Sequence, residues 1–251
     1  MKLEQLATIY DSVYQNLASD DCSNNGLQVE ASDEIHKVAF AVDACLDTFE
    51  KAARAGADLL VVHHGISWGG GLKRLDGYSA RRLSVLFENH ISLYAQHLPM
   101  DMHPVLGNNA VLSDILQIQE RVPFFEYHGQ VIGFSGMLPH PMTPAAIARV
   151  LNDALDTHAA IPVDGHAPIH SIGIVSGGGA DAIFDASRQK LDALLTGEFT
   201  HEFYHPASEQ GLSVIAAGHY ATETTGPRAI MKYTSQNTDL ECVFIDSPTG
   251  L

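Results

Sequence analysis

The chain has 251 residues, of which 45% are hydrophobic and 18% are charged. This is enough for one large domain or two modest ones, each with its own core, and no stretch approaches the roughly 20 consecutive apolar residues of a membrane span. The formal net charge is −16, from 30 acidic and 14 basic residues. Such a charge argues against non-specific nucleic-acid binding, which depends on Lys and Arg at the phosphates.

The cysteines and the N-terminus indicate a cytoplasmic protein. Cys22, Cys45 and Cys242 are far apart and form no CxxC pair, as is typical of buried thiols in a reducing compartment. The first stretch, MKLEQLATIYDSVYQ, predicts an amphipathic helix rather than a signal peptide, because acidic and polar residues interrupt any apolar core.

Strand-like and helix-like segments alternate along the first half of the chain. CSNNGLQVE, residues 22–30, is typical of a turn by its composition. KVAFAVDA then predicts a strand, CLDTFEKAARAGA a helix that stops at Gly56, and DLLVVHH a second strand. YSARRLSVLFENH predicts a helix, ISLYAQH a strand and NNAVLSDILQI a further helix. This alternation is typical of a mostly parallel sheet flanked by helices.

The pattern changes near residue 126. GQVIGFSGML predicts a strand, TPAAIARVLNDALD a helix that begins at Thr143 with Pro144 in its first turn, and IHSIGIVSGGGADAIFDASRQK a strand, a loop and a helix. The earlier alternation then resumes, and no sequence repeat is evident. We therefore predict an α/β protein in which a smaller α/β domain, residues 126–190, is inserted into a main domain of residues 1–125 and 191–251.

The stretch GADLLVVHHG ends an apolar strand with two adjacent histidines, His63 and His64. Neighbouring side chains on a strand point to opposite faces, so the two imidazoles can turn to one target only where the strand ends. Open α/β sheets bind ligands at this end of their strands. For any one histidine alone, a hydrogen-bonded core residue is the alternative.

Two further predicted strand ends carry similar side chains. YAQHLPMDMHP places His97, Asp101 and His103 in a loop punctuated by prolines, and IAAGHYATE begins a helix in which His219 and Glu223 are four residues apart on one side. A single structural zinc usually takes four ligands and favours thiolates, so five nitrogen and oxygen donors indicate more than one ion. The five candidate ligands are His63, His64, Asp101, His219 and Glu223.

Two other stretches resemble known site motifs. Residues 201–205 read HEFYH and match the H-E-x-x-H pattern of zinc proteases. Pro206 follows at once and is expected to disrupt a helix that starts at Thr200, so we interpret the match as coincidence, although His205 can still point toward the site. SGGGAD, residues 176–181, is interpreted as a tight turn, with anion binding by its amides as the alternative.

Five stretches together resemble one known family. They are NGLQVE, GADLLVVHHG, HLPMDMHPVLGNN, TGE and AAGHYATE, in this order along nearly the whole chain. This pattern resembles the Nif-three-like family, whose members are also called dinuclear-metal-centre hexameric proteins or GTP cyclohydrolase I type 2 homologues. Tyr220 departs from the pattern, since close relatives often have a histidine there, and the inserted segment matches only loosely.

The resemblance implies a two-metal site, a second α/β domain inserted in the first, and a toroidal homohexamer. His97 falls at a family position that lines the same cavity, and we predict that it is the catalytic proton carrier. Imidazole and carboxylate donors suit zinc, iron, manganese and nickel alike, so the identity of the two divalent ions stays open. Carried over by motif, the metal ligands are His63, His64, Asp101, His219 and Glu223.

These features lead to the prediction of a metal-dependent hydrolase in which two divalent ions activate a shared water. The family name suggests a nucleotide-type substrate, as in GTP cyclohydrolase, although no motif in the sequence recognises guanine or triphosphate. The alternative is a non-catalytic hexameric scaffold whose metals hold an interaction surface together or sense metal supply. Binding to nucleic acid or to a membrane is not expected.

Overall fold

The computed structural model describes residues 1–15, 17, 20–71, 74–165 and 168–251, and the chain forms two compact units. Unit 1 comprises Met1–Met100 and Gly226–Ser247, and unit 2 comprises Asp101–Thr225 and Pro248–Leu251. Among the helices of the described residues, none has both the length and the apolar character needed to cross a membrane.

Unit 1 contains a five-stranded, mostly parallel sheet. Its spatial order is β1-β4-β3-β2-β11, with the strands β1 (Gly26–Val29), β2 (Lys37–Asp43), β3 (Leu59–His64), β4 (Ser92–Ala95) and β11 (Glu241–Phe244). Only the edge strand β1 is antiparallel to its neighbour. The helices are α1 (Leu3–Tyr14), α2 (Leu46–Arg54), α3 (Gly77–Glu88) and the part of α10 (Thr225–Asn237) that follows residue 225.

The central strands of unit 1 explain its core. β2 and β3 read KVAFAVD and LLVVHH, and all their side chains between the first and last residues are buried. Nearly continuous apolar runs are expected where helices cover both faces of a parallel sheet. Gly56, at φ +68°, adopts the left-handed conformation just before β3 and so ends the α2 segment.

Unit 2 contains a six-stranded mixed sheet in the order β5-β6-β8-β9-β10-β7. The strands are β5 (Gln119–Tyr127), β6 (Gln130–Met142), β7 (Ala160–Val163), β8 (Ile169–Val175), β9 (Ala193–Thr196) and β10 (Ser213–Ala216). The helices are α5 (Asn108–Ile115), α6 (Pro144–Leu155), α7 (Ile183–Arg188), α8 (His201–Glu209) and α9 (His219–Glu223), with a 3-10 turn at Ala180–Ala182. A helix α4 (Leu98–Met102) spans the sequence boundary between the units.

The two units share an arrangement that the sequence does not reveal. In unit 1, β2, β3 and β4 are parallel neighbours joined through α2 and α3, and in unit 2 the parallel β8, β9 and β10 are joined through α7 and α8. In each unit, an aspartate just before the middle strand of the three accepts hydrogen bonds from two backbone amides at the start of a neighbouring strand. Asp58, before β3, binds the start of β2, and Asp192, before β9, binds the start of β8. The donors are His36 and Lys37 at 2.7 and 3.0 Å, and His170 and Ser171 at 2.8 and 2.9 Å.

The structure confirms the α/β class and the mostly parallel sheet of the first unit, and unit 2 contains the whole of the predicted insert. It extends beyond the predicted insert of residues 126–190 at both ends. The physical reason is strand pairing, because β9 and β10 continue the sheet from β8. An alternating pattern of helices and strands identifies parallel strands but not the sheet to which each belongs.

Three local predictions also need correction. The second half of the predicted turn at residues 22–30 forms β1, which pairs with β4. The predicted loop around Asp101 forms α4, with Pro99 in its first turn, where a missing amide proton does no harm. The HEFYH segment is helical from His201 to Glu209 with Pro206 inside, so the loss of one amide donor does not end this helix.

Candidate metal centre

The first donor group consists of His63, His64 and His97 in unit 1. Each offers one ligand atom, and these atoms all lie within 4.8 Å of one another. His63 and His64 end β3, and His97 follows the neighbouring strand β4 by two residues. Because parallel neighbours place their carboxyl ends at one sheet edge, the three imidazoles converge there. His63 is fully buried, whereas the other two are half-buried.

The ring nitrogen Nδ1 of each of these histidines faces a hydrogen-bond acceptor. An imidazole whose Nδ1 donates its proton to oxygen has its lone pair on Nε2, the tautomer that binds a metal. The sheet edge therefore holds three imidazoles whose Nδ1 atoms are all turned to an oxygen acceptor. The pairs are His63 with the Gln96 carbonyl at 3.0 Å, His64 with Asp43 Oδ1 at 2.8 Å, and His97 with Asp21 Oδ1 at 2.9 Å.

Asp21 joins His97 to the loop that precedes β1. Its side chain is only 2% exposed and accepts hydrogen bonds from the Ser23 amide at 3.0 Å, the Asn25 side chain at 2.9 Å and the Leu98 amide at 3.0 Å. Burial acts to raise the pKa of the Asp21 carboxyl, but the hydrogen bonds from His97, Ser23 and Asn25 outweigh it and hold the pKa well below its usual value. Asp21 is therefore a fixed anion that orients the His97 ring.

The second donor group consists of Asp101, His219 and Glu223 in unit 2. His219 and Glu223 are the first and last residues of α9, and His219 Nε2 lies 3.1 Å from Glu223 Oε2. A ligand atom of Asp101 lies within 4.8 Å of one of Glu223, so Glu223 is close to both other donors. His219 Nδ1 lies 2.6 Å from Glu198 Oε1, which follows β9.

Hydrogen bonds hold the donors of unit 2 in place. Asp101 Oδ1 accepts hydrogen bonds from Asn108 Nδ2 at 2.8 Å and Ser176 Oγ at 3.0 Å. The hydrogen bond with Glu223 raises the pKa of His219 to about 9, against the effect of burial and with help from Glu198. A proton on His219 is thus stabilised by its contacts with Glu223 and Glu198. Carboxylates and imidazole are both metal ligands. A divalent ion that binds here can therefore take the place of the His219 proton.

The SGGGAD loop supports the second donor group rather than offering its amides to an anion. The Gly177 amide donates to Thr222 Oγ1 at 3.0 Å, and the Gly179 amide donates to Thr196 Oγ1 at 3.1 Å. A side chain at residue 177, where φ is +60°, would collide with Glu223 Oε1. The loop therefore approaches Glu223 at a position that only glycine allows.

Several other side chains that can bind a metal in principle are not assigned to these donor groups. The side chains of His201, Glu202 and His205 are exposed on α8, and among the described residues none of them belongs to a group able to hold a metal. His103 Nδ1 accepts the amides of Val105 and Leu106 at 3.1 and 2.9 Å, so this nitrogen closes a turn. Cys22 completes a group with Asp21 and His97, but burial raises the pKa of its thiol, which disfavours the metal-binding thiolate.

The sequence patterns single out the candidate donors but not the groups that orient their rings. Asp21, Asp43 and Glu198 were not singled out, and each fixes one histidine ring. Asp43 is the last residue of β2 and is paired in register with His64, so its strand-end position was an available signal. Glu198 lies in the quoted TGE stretch, whereas Asp21 is 76 residues from His97 in sequence and has no local signature.

Comparisons with known proteins identify the family of this chain. The family model of Duf34/NIF3 (NGG1p interacting factor 3) matches residues 1–250. A GTP cyclohydrolase 1 type 2 homolog of Pyrococcus horikoshii is 45% identical over 252 residues, with 100% of both chains covered. One of Halobacterium salinarum is 44% identical, with 92% of both chains covered. The crystal structure of TTHA1606 from Thermus thermophilus superposes with a TM-score of 0.90 at 34% identity, covering 100% of both chains.

The resemblance that the sequence motifs carry is thereby confirmed over the full length. Identity of this order between whole chains, together with the same fold, shows common descent. The chain belongs to the Duf34/NIF3 (NGG1p interacting factor 3) family.

Proposed function

We propose that this chain is a metal-dependent hydrolase that binds two divalent ions. The expected ligands are the two histidines that end β3 together with all three donors of unit 2. Because a carboxylate has two oxygens, each of Asp101 and Glu223 can serve two ions, while a histidine serves one. The proximity of ligand atoms from Asp101 and Glu223, within 4.8 Å, supports these two carboxylates as the bridges.

The observation that carries the proposal is the common orientation of the histidines. In His63, His64, His97 and His219, Nδ1 faces an oxygen acceptor at 2.6 to 3.0 Å. A structural histidine needs only one partner for its ring, but four rings whose Nδ1 atoms all face an oxygen acceptor, a carboxylate in three of them, are expected of a metal centre with its outer shell.

The chemistry expected of the site needs a water nucleophile and a proton carrier. Two divalent ions, once held by these residues, would supply the first, because bound ions lower the pKa of water toward neutrality. His97 supplies the second: its Nε2 carries the lone pair, and Asp21 holds the ring and stabilises the imidazolium that forms when the ring takes a proton. His97 is therefore assigned as the general base and acid rather than as a fourth nitrogen ligand.

A nucleotide-like small molecule is the substrate class that we propose, and a homohexamer is the proposed assembly. Several curated relatives are named GTP cyclohydrolase 1 type 2 homolog, which supports a nucleotide but does not identify it. Native mass measurement over a range of protein concentrations tests the assembly, and a monomer or dimer throughout would exclude the hexamer.

The hydrolase proposal is tested by comparing chelated protein with protein reloaded with zinc, iron, manganese or nickel. Each form is incubated with a panel of nucleotides and phosphoesters, and product release is followed by chromatography. We expect hydrolysis that returns only with metal and is absent in His97→Ala. Tight metal binding without hydrolysis of any compound would favour the non-catalytic scaffold instead.

A further inference from the structure

A cavity of about 250 Å³ lies in unit 1 between the loop that follows His64 and the first turns of α3. The loop contributes Gly65, Ile66 and Trp68, and the helix contributes Tyr78, Ser79, Arg82 and Leu83. Neither the predicted ligands nor the proton carrier line this cavity. Two aromatic rings and a guanidinium lie together in this small cavity, so a ligand that binds there should interact with both kinds of group.

The Trp68 wall of the cavity is held in a fixed position. The Gln28 side chain accepts the amides of Ile66 and Ser67 at 2.8 and 3.1 Å, and the Gly69 amide donates to the Cys22 carbonyl at 2.6 Å. A side chain at residue 65 would collide with the Gln28 amide and displace the group that holds the loop.

The indole ring itself is fixed as well. Trp68 Nε1 donates to the Gly65 carbonyl at 2.9 Å, which satisfies its polar group within the loop. The side chain is nevertheless 37% exposed. A rigid, partly exposed ring with no remaining polar requirement is a preorganised stacking surface.

The opposite wall is aromatic and positively charged. The Arg82 guanidinium lies 5.2 Å from the centre of the Tyr78 ring, which is 65% exposed. Within the described part of the chain, no carboxylate pairs with Arg82, and the described lining of the cavity has no acidic residue, although the chain has 30 acidic and 14 basic residues. The N-terminal turn of α3, which includes Ser79, adds the positive end of a twelve-residue helix.

From these features we propose that the cavity binds a planar heteroaromatic ring that carries an anionic group. The ring stacks on Trp68 and Tyr78, and the anion pairs with Arg82. The volume is below the roughly 300–1,000 Å³ of pockets that enclose drug-sized ligands. It therefore fits one ring system with one charged substituent better than a complete nucleoside triphosphate.

The cavity also adjoins the first donor group through Trp68. The indole ring centre lies 6.2 Å from that of His64 and 5.0 Å from that of His97. Only the Trp68 side chain would then lie between the bound ring and two residues of the site, the predicted ligand His64 and the proton carrier His97. The proposal that the cavity binds a ligand depends only on the features of the cavity. Its assignment as the subsite for the ring of the substrate rests on the proposed hydrolase function.

Trp68 is the only tryptophan of the chain and reports directly on the cavity. Protein treated with a chelator, so that no metal can bind phosphate, is titrated with GMP, with guanosine and with ribose 5-phosphate while the indole emission is recorded. We expect saturable quenching by GMP, quenching by guanosine only at about 10- to 100-fold higher concentration, and none by ribose 5-phosphate.

The charge contact is tested by Arg82→Gln, with Arg81→Gln as the matched control, because Arg81 is exposed on the same helix and does not line the cavity. Arg82→Gln is expected to bind GMP and guanosine alike, whereas Arg81→Gln and Arg82→Lys keep the preference for GMP. Equal effects of Arg82→Gln and Arg81→Gln, or no saturable quenching by GMP, would overturn the proposal.

This experiment does not depend on the metal centre. If the chelator-treated protein binds nucleotide but no metal-dependent hydrolysis is found, the cavity assignment stands and the hydrolase proposal is rejected. If Arg82→Gln hydrolyses its substrate with unchanged kcat and KM, the hydrolase proposal stands. The cavity would then not be part of the substrate site.

Discussion

Asp43 and His64 stand opposite each other in the register of neighbouring parallel strands, and Asp43 Oδ1 lies 2.8 Å from His64 Nδ1. This bond fixes the ring and directs the lone pair of Nε2 away from β2. Partners of this kind raise the basicity of a ligand histidine, and their loss typically lowers metal affinity by about 10- to 100-fold.

Asp43→Asn should therefore weaken metal binding by about 10- to 100-fold without unfolding the protein. The affinity is measured by competition with a chromogenic chelator. Asp33→Asn is the matched control, because Asp33 is exposed in the same unit and has no predicted role. Equal affinity in the two variants would show that Asp43 does not support a ligand.

His97→Ala should keep the wild-type metal content and lose hydrolysis by a factor of about 10² to 10⁴, the usual contribution of a positioned proton carrier. Asp21→Asn should lower kcat less strongly with little change in KM, because the ring remains but is less well oriented. Elemental analysis and steady-state kinetics of the same preparations decide the matter. If His97→Ala loses metal as His64→Ala is expected to do, His97 is a ligand and not a proton carrier.

Much of the site follows from local patterns in the sequence. His63 and His64 end an apolar strand, and the spacing of His219 and Glu223 places both on one side of a helical turn, as the 3.1 Å contact between them shows. The orienting groups are different. Asp21 reaches His97 only after the loop before β1 has folded against α4, and such long-range contacts leave no periodic signal.

Local sequence patterns also predicted the fold only in part. Apolar runs and glycine stops predicted the alternation of strands and helices, whereas the sheet membership of β9 and β10 depends on pairing that composition does not encode. The α8 helix shows a second limit, because Pro206 lies inside it. The remaining contacts of a short helix can outweigh one missing amide bond, so a proline favours a helix boundary without requiring one.

Gly177→Ala should reduce metal binding although residue 177 carries no ligand atom. The added carbon would collide with Glu223 Oε1, and φ of +60° is itself unfavourable for alanine. Gly178→Ala is the matched control, since a side chain there meets nothing within 4 Å. Titration with metal should separate the two variants, and equal metal content would mean that Glu223 can move aside without loss of binding.

Asp192 should stabilise unit 2 in a pH-dependent way. Burial acts to raise the pKa of its carboxyl, but hydrogen bonds from the amides of Ser171 and His170 outweigh it and lower the pKa below the usual value. A carboxyl with a lowered folded-state pKa contributes stability above its unfolded pKa of about 3.9 and loses it as the pH falls through the folded value.

Asp192→Ala should thus lower the free energy of unfolding by about 1–3 kcal/mol at pH 7, and the difference from wild type should shrink below about pH 4. Urea unfolding at several pH values measures it, with Asp153→Ala as the control because Asp153 is exposed on α6 in the same unit. A difference that is constant with pH would assign the effect to packing rather than to charge.

The central claim is a two-metal centre in which the carboxylates serve as bridges, and elemental analysis of identically prepared variants tests it most directly. We expect about two ions per chain in wild type, about one in His63→Ala, and well below half of the wild-type content in Asp101→Ala and Glu223→Ala, since removing a bridge disturbs both ions. Glu202→Ala, which removes an exposed carboxylate of α8, should keep the full content. About one ion per wild-type chain, with the three ligand variants equally empty, would show a mononuclear site and contradict the two-metal account.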